Sequence, residues 1–196
     1  MKKIFIIFSI SISFLSFSQV RIGQSATTNL SSDSVLLEFG DTKDKGIILP
    51  YVKTIPAEGT DKAVGGTLIF DISITSDFPN GEYKVKVKNE NSGWTDLSGE
   101  TGYSADTETI VKTPQNSPLE DAANAKVIIG ATSSTSDGVL VLESTDKAMV
   151  LPIVEDYQAI KNPSPGMIAF LKSPDGDATK HRLIVYNGLT WSFWKP

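Results

Sequence analysis

In "EYKVKVKN" (Glu82–Asn89) apolar and charged residues alternate, with Tyr83, Val85 and Val87 on one side and Lys84, Lys86 and Lys88 on the other. A period of two sends successive side chains to opposite faces of an extended chain, so the stretch predicts a half-buried β-strand with a solvated lysine face. Asn80-Gly81 just upstream tolerates positive φ at both positions and predicts a hairpin turn. The other apolar runs are short and bounded by turn formers. "VLLEF" (Val35–Phe39), "VLVLE" (Val139–Glu143), "GTLIF" (Gly66–Phe70), "GMIAF" (Gly166–Phe170) and "RLIVYN" (Arg182–Asn187) all read as strands. "IILP" and "MVLP" read as buried strands stopped by their prolines. Helical spacing is seen in "VEDYQAIKNP" (Val154–Pro163), where Val154, Tyr157 and Ile160 share one side over one or two turns. The corresponding stretch upstream holds Pro56 and is expected to lack that helix.

These runs occur twice in the same order. "VRIG" (Val20–Gly23) answers "VIIG" (Val127–Gly130), and "VLLE" answers "LVLE". "DKGIILP" (Asp44–Pro50) answers "DKAMVLP" (Asp146–Pro152), and "GTLIF" answers "GMIAF". "KVKVKN" answers "RLIVYN", and Trp94 answers Trp191. Six collinear blocks, with length changes confined to Gly, Ser, Asn and Asp-rich stretches, indicate a tandem duplication. Each unit is expected to end in a three-stranded antiparallel meander: a strand opened by glycine, an alternating strand and a tryptophan strand. The expected fold is mainly β with little helix. The expected organisation is a signal peptide at 1–18, a first β repeat at 19–97, a polar linker at 98–126 and a second β repeat at 127–196.

The signal peptide is read from Lys2 and Lys3, the apolar run Ile4–Phe17, and small residues Ser16 and Ser18 before Gln19. Export to the cell surface or medium is therefore expected, with the periplasm as the other destination. No later run approaches the roughly 20 apolar residues that a membrane-spanning helix needs. The formal charge of −5 becomes −7 once the two leader lysines are removed. An acidic chain with no basic cluster is a poor ligand for nucleic acid. The chain has no cysteine, which excludes disulfides, thiol catalysis and zinc-thiolate sites. Units of about 70 to 80 residues are marginal without such staples, so they are expected to pack on each other or on further copies.

The ordered blocks "QVRIGQSATT", "VLLEF", "DKGIILPYV", "GGTLIFD" and "KVKVKNENSGW" come first. A second pass reads "VIIGATSST", "VLVLE", "DKAMVLPIV", "YQAIKNPSPGMIAF" and "LIVYNGLTW". The set resembles secreted fibre-like surface proteins of Bacteroidota, whose phrases run QVGIGTTTP, KGLLLPRM, GLLIYN and YYNGTAW. Departures fall at Arg21 and Ile128, where those proteins have the first glycine of GIG, and at Tyr51 and Ile153, where they have the arginine after LLLP. The resemblance implies a modular, associating surface protein, and it supplies no catalytic residues.

Candidate chemistry is sparse. His181 lies between Lys180 and Arg182 and reads as a surface residue. A general base needs partners held nearby, and no G-x-S-x-G elbow is present. Asp175-Gly176-Asp177 reads as hairpin-turn chemistry, because a calcium loop needs more oxygens at regular positions. No catalytic residue, metal ligand or cofactor is assigned. The aromatics of "VYNGLTWSFW" carry the best candidate surface: Tyr186, Trp191 and Trp194, with Trp191 and Phe193 on one strand face and Trp194 on the other. The expected function is a non-enzymatic structural or protein-binding module, a cell-surface accessory or fibre-like, adhesin-like subunit. Its expected partners are another envelope or surface protein, or itself. The alternative is a carbohydrate-binding module that stacks a glycan on those aromatics.

Overall fold

A computed structural model describes residues 19–23, 32–40, 44–55, 63–90, 93–115, 126–136 and 138–194. The signal peptide and Pro56 lie outside the described residues. The chain is mainly β. The first repeat contributes β1 (Val20–Ile22), β2 (Val35–Phe39), β3 (Ile47–Ile48), β4 (Tyr51–Val52), β5 (Leu68–Asp71), β6 (Lys84–Lys88) and β7 (Trp94–Asp96). The second contributes β8 (Val127–Ile129), β9 (Leu140–Leu142), β10 (Ala148–Val150), β11 (Ile153–Val154), β12 (Met167–Leu171), β13 (Arg182–Tyr186) and β14 (Trp191–Trp194). Among the described residues one α-helix, α1 (Ala105–Gln115), lies between them.

The duplication is visible bond by bond. β4 runs parallel to β5 with Tyr51 opposite Phe70, and β11 runs parallel to β12 with Ile153 opposite Phe170. The Phe70 amide donates to Pro50 O and the Phe170 amide to Pro152 O, both at 2.9 Å. β5, β6 and β7 then form one antiparallel meander, and β12, β13 and β14 form the other. Gly66 and Gly166 open the two meanders with positive φ, 86° and 77°, a conformation that only glycine adopts without strain. The single-helix expectation at Val154–Pro163 resolves as one 3-10 turn, Tyr157–Ala159, capped by Asp156.

Three expectations need correction. The strand before each Leu-Pro does stop there, at Ile48 and at Val150, but the chain does not then stay out of the sheets: it re-enters a different one as β4 and as β11. In the first repeat β3 leaves to pair with β12 of the second repeat, while β4 after Pro50 returns to β5. Having no N–H, proline interrupts a ladder at the point where the chain changes sheet. Nor are these short strands buried throughout, since Ile48 stays half-exposed while Leu49 is buried.

The polar linker at 98–126 carries α1, and Val111 on it is fully buried in a core shared by both repeats. The cue is its cap rather than an apolar stripe. The Ser104 hydroxyl accepts from the Thr107 amide at 3.1 Å, Asp106 and Glu108 sit in the first turn, and Lys112 pairs with Glu108 one turn on.

The lysine face of β6 is not freely solvated. Lys84 reaches Asp96 at 3.0 Å, and Lys86 reaches Asp71 at 2.7 Å and Glu82 at 3.6 Å, over the sheet surface. Glu82 shares the lysine face by the same alternation, whereas Asp71 and Asp96 come from the neighbouring strands β5 and β7, which the pattern of one strand does not reveal.

Two cores result. The first joins Phe70, Val85 and Leu97 of one meander to Ile168 and Val185 of the other, with Leu49, Tyr83 and Val111. The second lies on the opposite face of β12 and β13 and holds Val154, Ile160, Met167, Ala169 and Ile184. The second meander is thus covered on both faces. This joint burial supplies the packing that neither small unit holds alone.

Candidate functional site

β13 and β14 pair antiparallel with Tyr186 opposite Trp191, Ile184 opposite Phe193 and Leu183 opposite Trp194. Alternation then sorts the aromatics. Trp191 and Phe193 share the face of Ile184, above the second core, while Trp194 shares the face of Leu183. The 3-10 turn brings Tyr157 onto the first of these faces. Its ring meets Trp191 at 6.1 Å and Phe193 at 5.0 Å, both edge-to-face. Tyr186 lies 5.2 Å from Trp191 with planes tilted by 44°. Its hydroxyl donates to Gly188 O at 3.0 Å, and burial pushes its pKa up.

The structure therefore brings Tyr186 and Trp191 together and sets Trp194 apart. Trp194 is 38 % exposed, and its indole Nε1–H donates to Leu97 O of the first repeat at 2.9 Å. Two members of the aromatic face were not among the candidates: Tyr157 and Phe193, the latter 45 % exposed. Strand alternation already placed Phe193 beside Trp191. Tyr157 had no such signal, because its approach depends on the fold. Edge-to-face and tilted rings form a ridge rather than a flat platform.

Trp194 belongs to a seam that joins the repeats. Ser192 Oγ donates to Ser98 O at 2.5 Å, Thr107 Oγ1 to Gly188 O at 3.3 Å, and Asn187 Nδ2 to Glu100 O at 3.1 Å. The Asn187 side-chain oxygen also accepts from the Leu189 and Thr190 amides, at 2.9 and 2.8 Å. This buried amide therefore holds the β13–β14 turn and the linker segment at once.

The other polar clusters are internally engaged. Asp175 accepts from Lys180 Nζ and Ser173 Oγ, both at 2.5 Å, and these bonds, that of Lys180 foremost, hold its carboxyl well below the usual carboxylate range. Asp177 caps the next turn through the Thr179 amide at 3.0 Å and hydroxyl at 2.7 Å. His181 lies edge-on to Phe170 at 5.7 Å, and its buried Nε2 meets no hydrogen-bond partner. Among the described residues, no three His, Asp or Glu side chains gather as metal ligands.

Two open depressions of about 380 and 450 Å³ are present. The first, beside Leu36 and Gly130, carries Glu143 and Asp146, which accept from Ser134 and Ser144. The second lies where Gly46, just before β3, faces Ile160 and Met167 of the second repeat. Among the described residues, no helix is long and apolar enough to cross a membrane. No family model, curated protein or solved structure matches the chain.

Proposed function

We propose that the chain is a non-enzymatic, exported structural module of the cell envelope, an accessory or fibre-like subunit whose work is to bind other proteins. The observation that carries this reading is the interlocking of the repeats. Strands leave their own unit to complete a sheet in the other, as β3 does on β12 and β10 does on β2. Strand addition of this kind is a standard mode of protein recognition, because main-chain hydrogen bonds are available to any matching edge. The aromatic face around Tyr157 and Phe193 is the patch best suited to a protein partner.

The test is crosslinking of the tagged chain in its native envelope, followed by pull-down. A reproducible protein partner at near-stoichiometric yield supports the reading, and recovery of the free chain alone argues against it. The glycan reading rests on Tyr186, Trp191 and Trp194, of which Trp194 is exposed and Trp191 partly buried. Titration with soluble glycans should quench tryptophan fluorescence if it holds, and a flat response removes it.

A further inference from the structure

Each repeat holds a parallel strand pair built from the same motifs: β1 with β2, and β8 with β9. The outer edge of β2 is filled, because β10 runs parallel along it with Met149 opposite Leu37 and Val150 opposite Glu38. Val35, Leu36 and Leu37 are buried there, at 5, 1 and 0 % exposure. The outer edge of β9 has no such cover. Among the described residues its sheet has two strands only, and the Val127 and Glu143 amides bond to Val139 O and Ile129 O on the inner side. By alternation, the backbone groups of Leu140 and Leu142 point outward; on the matching edge of β2 the Ser34 carbonyl takes the Ala148 amide, and the register shifts by a bulge between Ala148 and Met149. Val127, Val139 and Leu140 are exposed by 58, 64 and 47 %.

The strand equivalent to β10 is β3, since "DKGIILP" aligns with "DKAMVLP". β3 spends one edge on β12, with the Leu49 amide donating to Gly166 O at 3.1 Å. That leaves Gly46 and Ile48 outward, and Ile48 is 51 % exposed. Gly46 and Ile48 align with Ala148 and Val150, and Ala148 donates its amide to Ser34 O at 2.8 Å. The edge that β10 uses on β2 is the edge that β3 leaves open. One chain therefore carries an unfilled socket and an unused plug, both with an internal counterpart already joined.

We propose that β3 of a second copy adds in parallel to β9, head to tail, with Ile47 opposite Leu142 and Ile48 opposite Glu143. The inference builds on the structural reading above and names one partner for it. Socket and plug lie at different places on the chain, so the contact is heterologous: it closes into a ring or propagates as a filament. Burial of Val139 and Leu140 under the incoming strand resolves an apolar edge that is otherwise an aggregation hazard.

The cysteine-free mature chain, residues 19–196, gives a direct test. Chains carrying Ile48→Cys and chains carrying Glu143→Cys, with tags of different size, are mixed and mildly oxidised. The expected product is the mixed disulfide, at least tenfold above a Lys53→Cys and Glu143→Cys mixture. Glu38→Cys with Val150→Cys in one chain is the internal reference and should close within the chain. Sedimentation of the unmodified chain should show mass rising with concentration. Leu140→Lys should weaken association tenfold or more, with an unchanged circular dichroism spectrum. A monomer at all concentrations, or no excess of mixed disulfide while the internal reference closes, overturns the proposal. So does hydrogen-exchange protection of the Leu140 and Leu142 amides in a monomer, because another segment of the same chain then covers the edge. Association of the pure chain without any envelope partner upholds this contact while removing the accessory-subunit role.

Discussion

The indole of Trp194, the last described residue, donates its N–H to the carbonyl of Leu97 at 2.9 Å, across the junction between the repeats. Ser192 makes the neighbouring bond to Ser98 at 2.5 Å. The tryptophan strand of the second meander is thus tied to the end of the first. Trp194→Phe keeps most of the apolar contact and deletes the donor. Because the indole is 38 % exposed, water can replace the lost bond at Leu97 O. The expected cost is about 0.5 to 1 kcal/mol, read as a lower urea midpoint with an unchanged slope.

Val111 carries the coupling of α1 to both repeats. It is fully buried in the core that holds Phe70 and Val85 of the first meander with Ile168 and Val185 of the second. Val111→Ala removes two methyl groups from a site walled by two sheets. We expect a loss of about 1 to 3 kcal/mol. Trp94 reports on the first repeat, and Trp191 and Trp194 on the second. Their single-tryptophan unfolding curves should coincide in the wild type and shift together in the variant. A shift confined to one set of tryptophans would mean that the repeats unfold as separate domains.

Local periodicity made the meanders legible, because alternation in "EYKVKVKN" and the repeated order of blocks are properties of neighbouring residues. The exchange of β3 and β10 was not legible. Strands of two or three residues carry too little pattern to name a distant partner, and the prolines that split them look like simple stops. The helix escaped notice for a related reason: Val111 and Thr107 are its only buried described side chains, so no apolar stripe announces it. Ser104 with acids in the next turn and Lys112 in the last was the available signal. At the aromatic face, strand alternation correctly separated Trp194 from Trp191. Tyr157 joins the cluster through a turn whose position only the folded chain defines.

Tyr51 links the repeats through its hydroxyl, which donates to Pro165 O at 3.1 Å. Burial disfavours the charged phenolate and raises its pKa above the usual value. A pKa raised in the folded state stabilises the fold below the unfolded value, and the contribution disappears as pH rises through the folded one. The wild type should therefore lose stability above pH of about 10, where a free tyrosine begins to ionise. Tyr51→Phe should be less stable near neutrality, for want of the bond to Pro165, and should lose less on going alkaline. Urea midpoints across that range, with tyrosinate absorbance alongside, check both parts. Parallel loss in the two proteins would remove Tyr51 from the alkaline response.

Gly102 packs its Cα against the main chain of Asn187. A Cβ there would lie 1.7 Å from the Asn187 carbonyl oxygen and 2.5 Å from its carbon. Asn187 has little room to retreat. Its side chain accepts from the Leu189 and Thr190 amides and donates to Glu100 O, so a shift large enough to admit a methyl group breaks the seam between linker and hairpin. Gly102→Ala should therefore cost about 3 kcal/mol or more. Gly99, three residues earlier, is the control. Its φ is +77°, and nothing lies within 4 Å of a Cβ built on it. Gly99→Ala meets backbone strain alone and should cost about 1 kcal/mol. Thermal unfolding of the two variants separates the causes. Equal losses would mean that the approach of Gly102 to Asn187 is loose in solution, and that the linker does not hold the second meander as tightly as this seam requires.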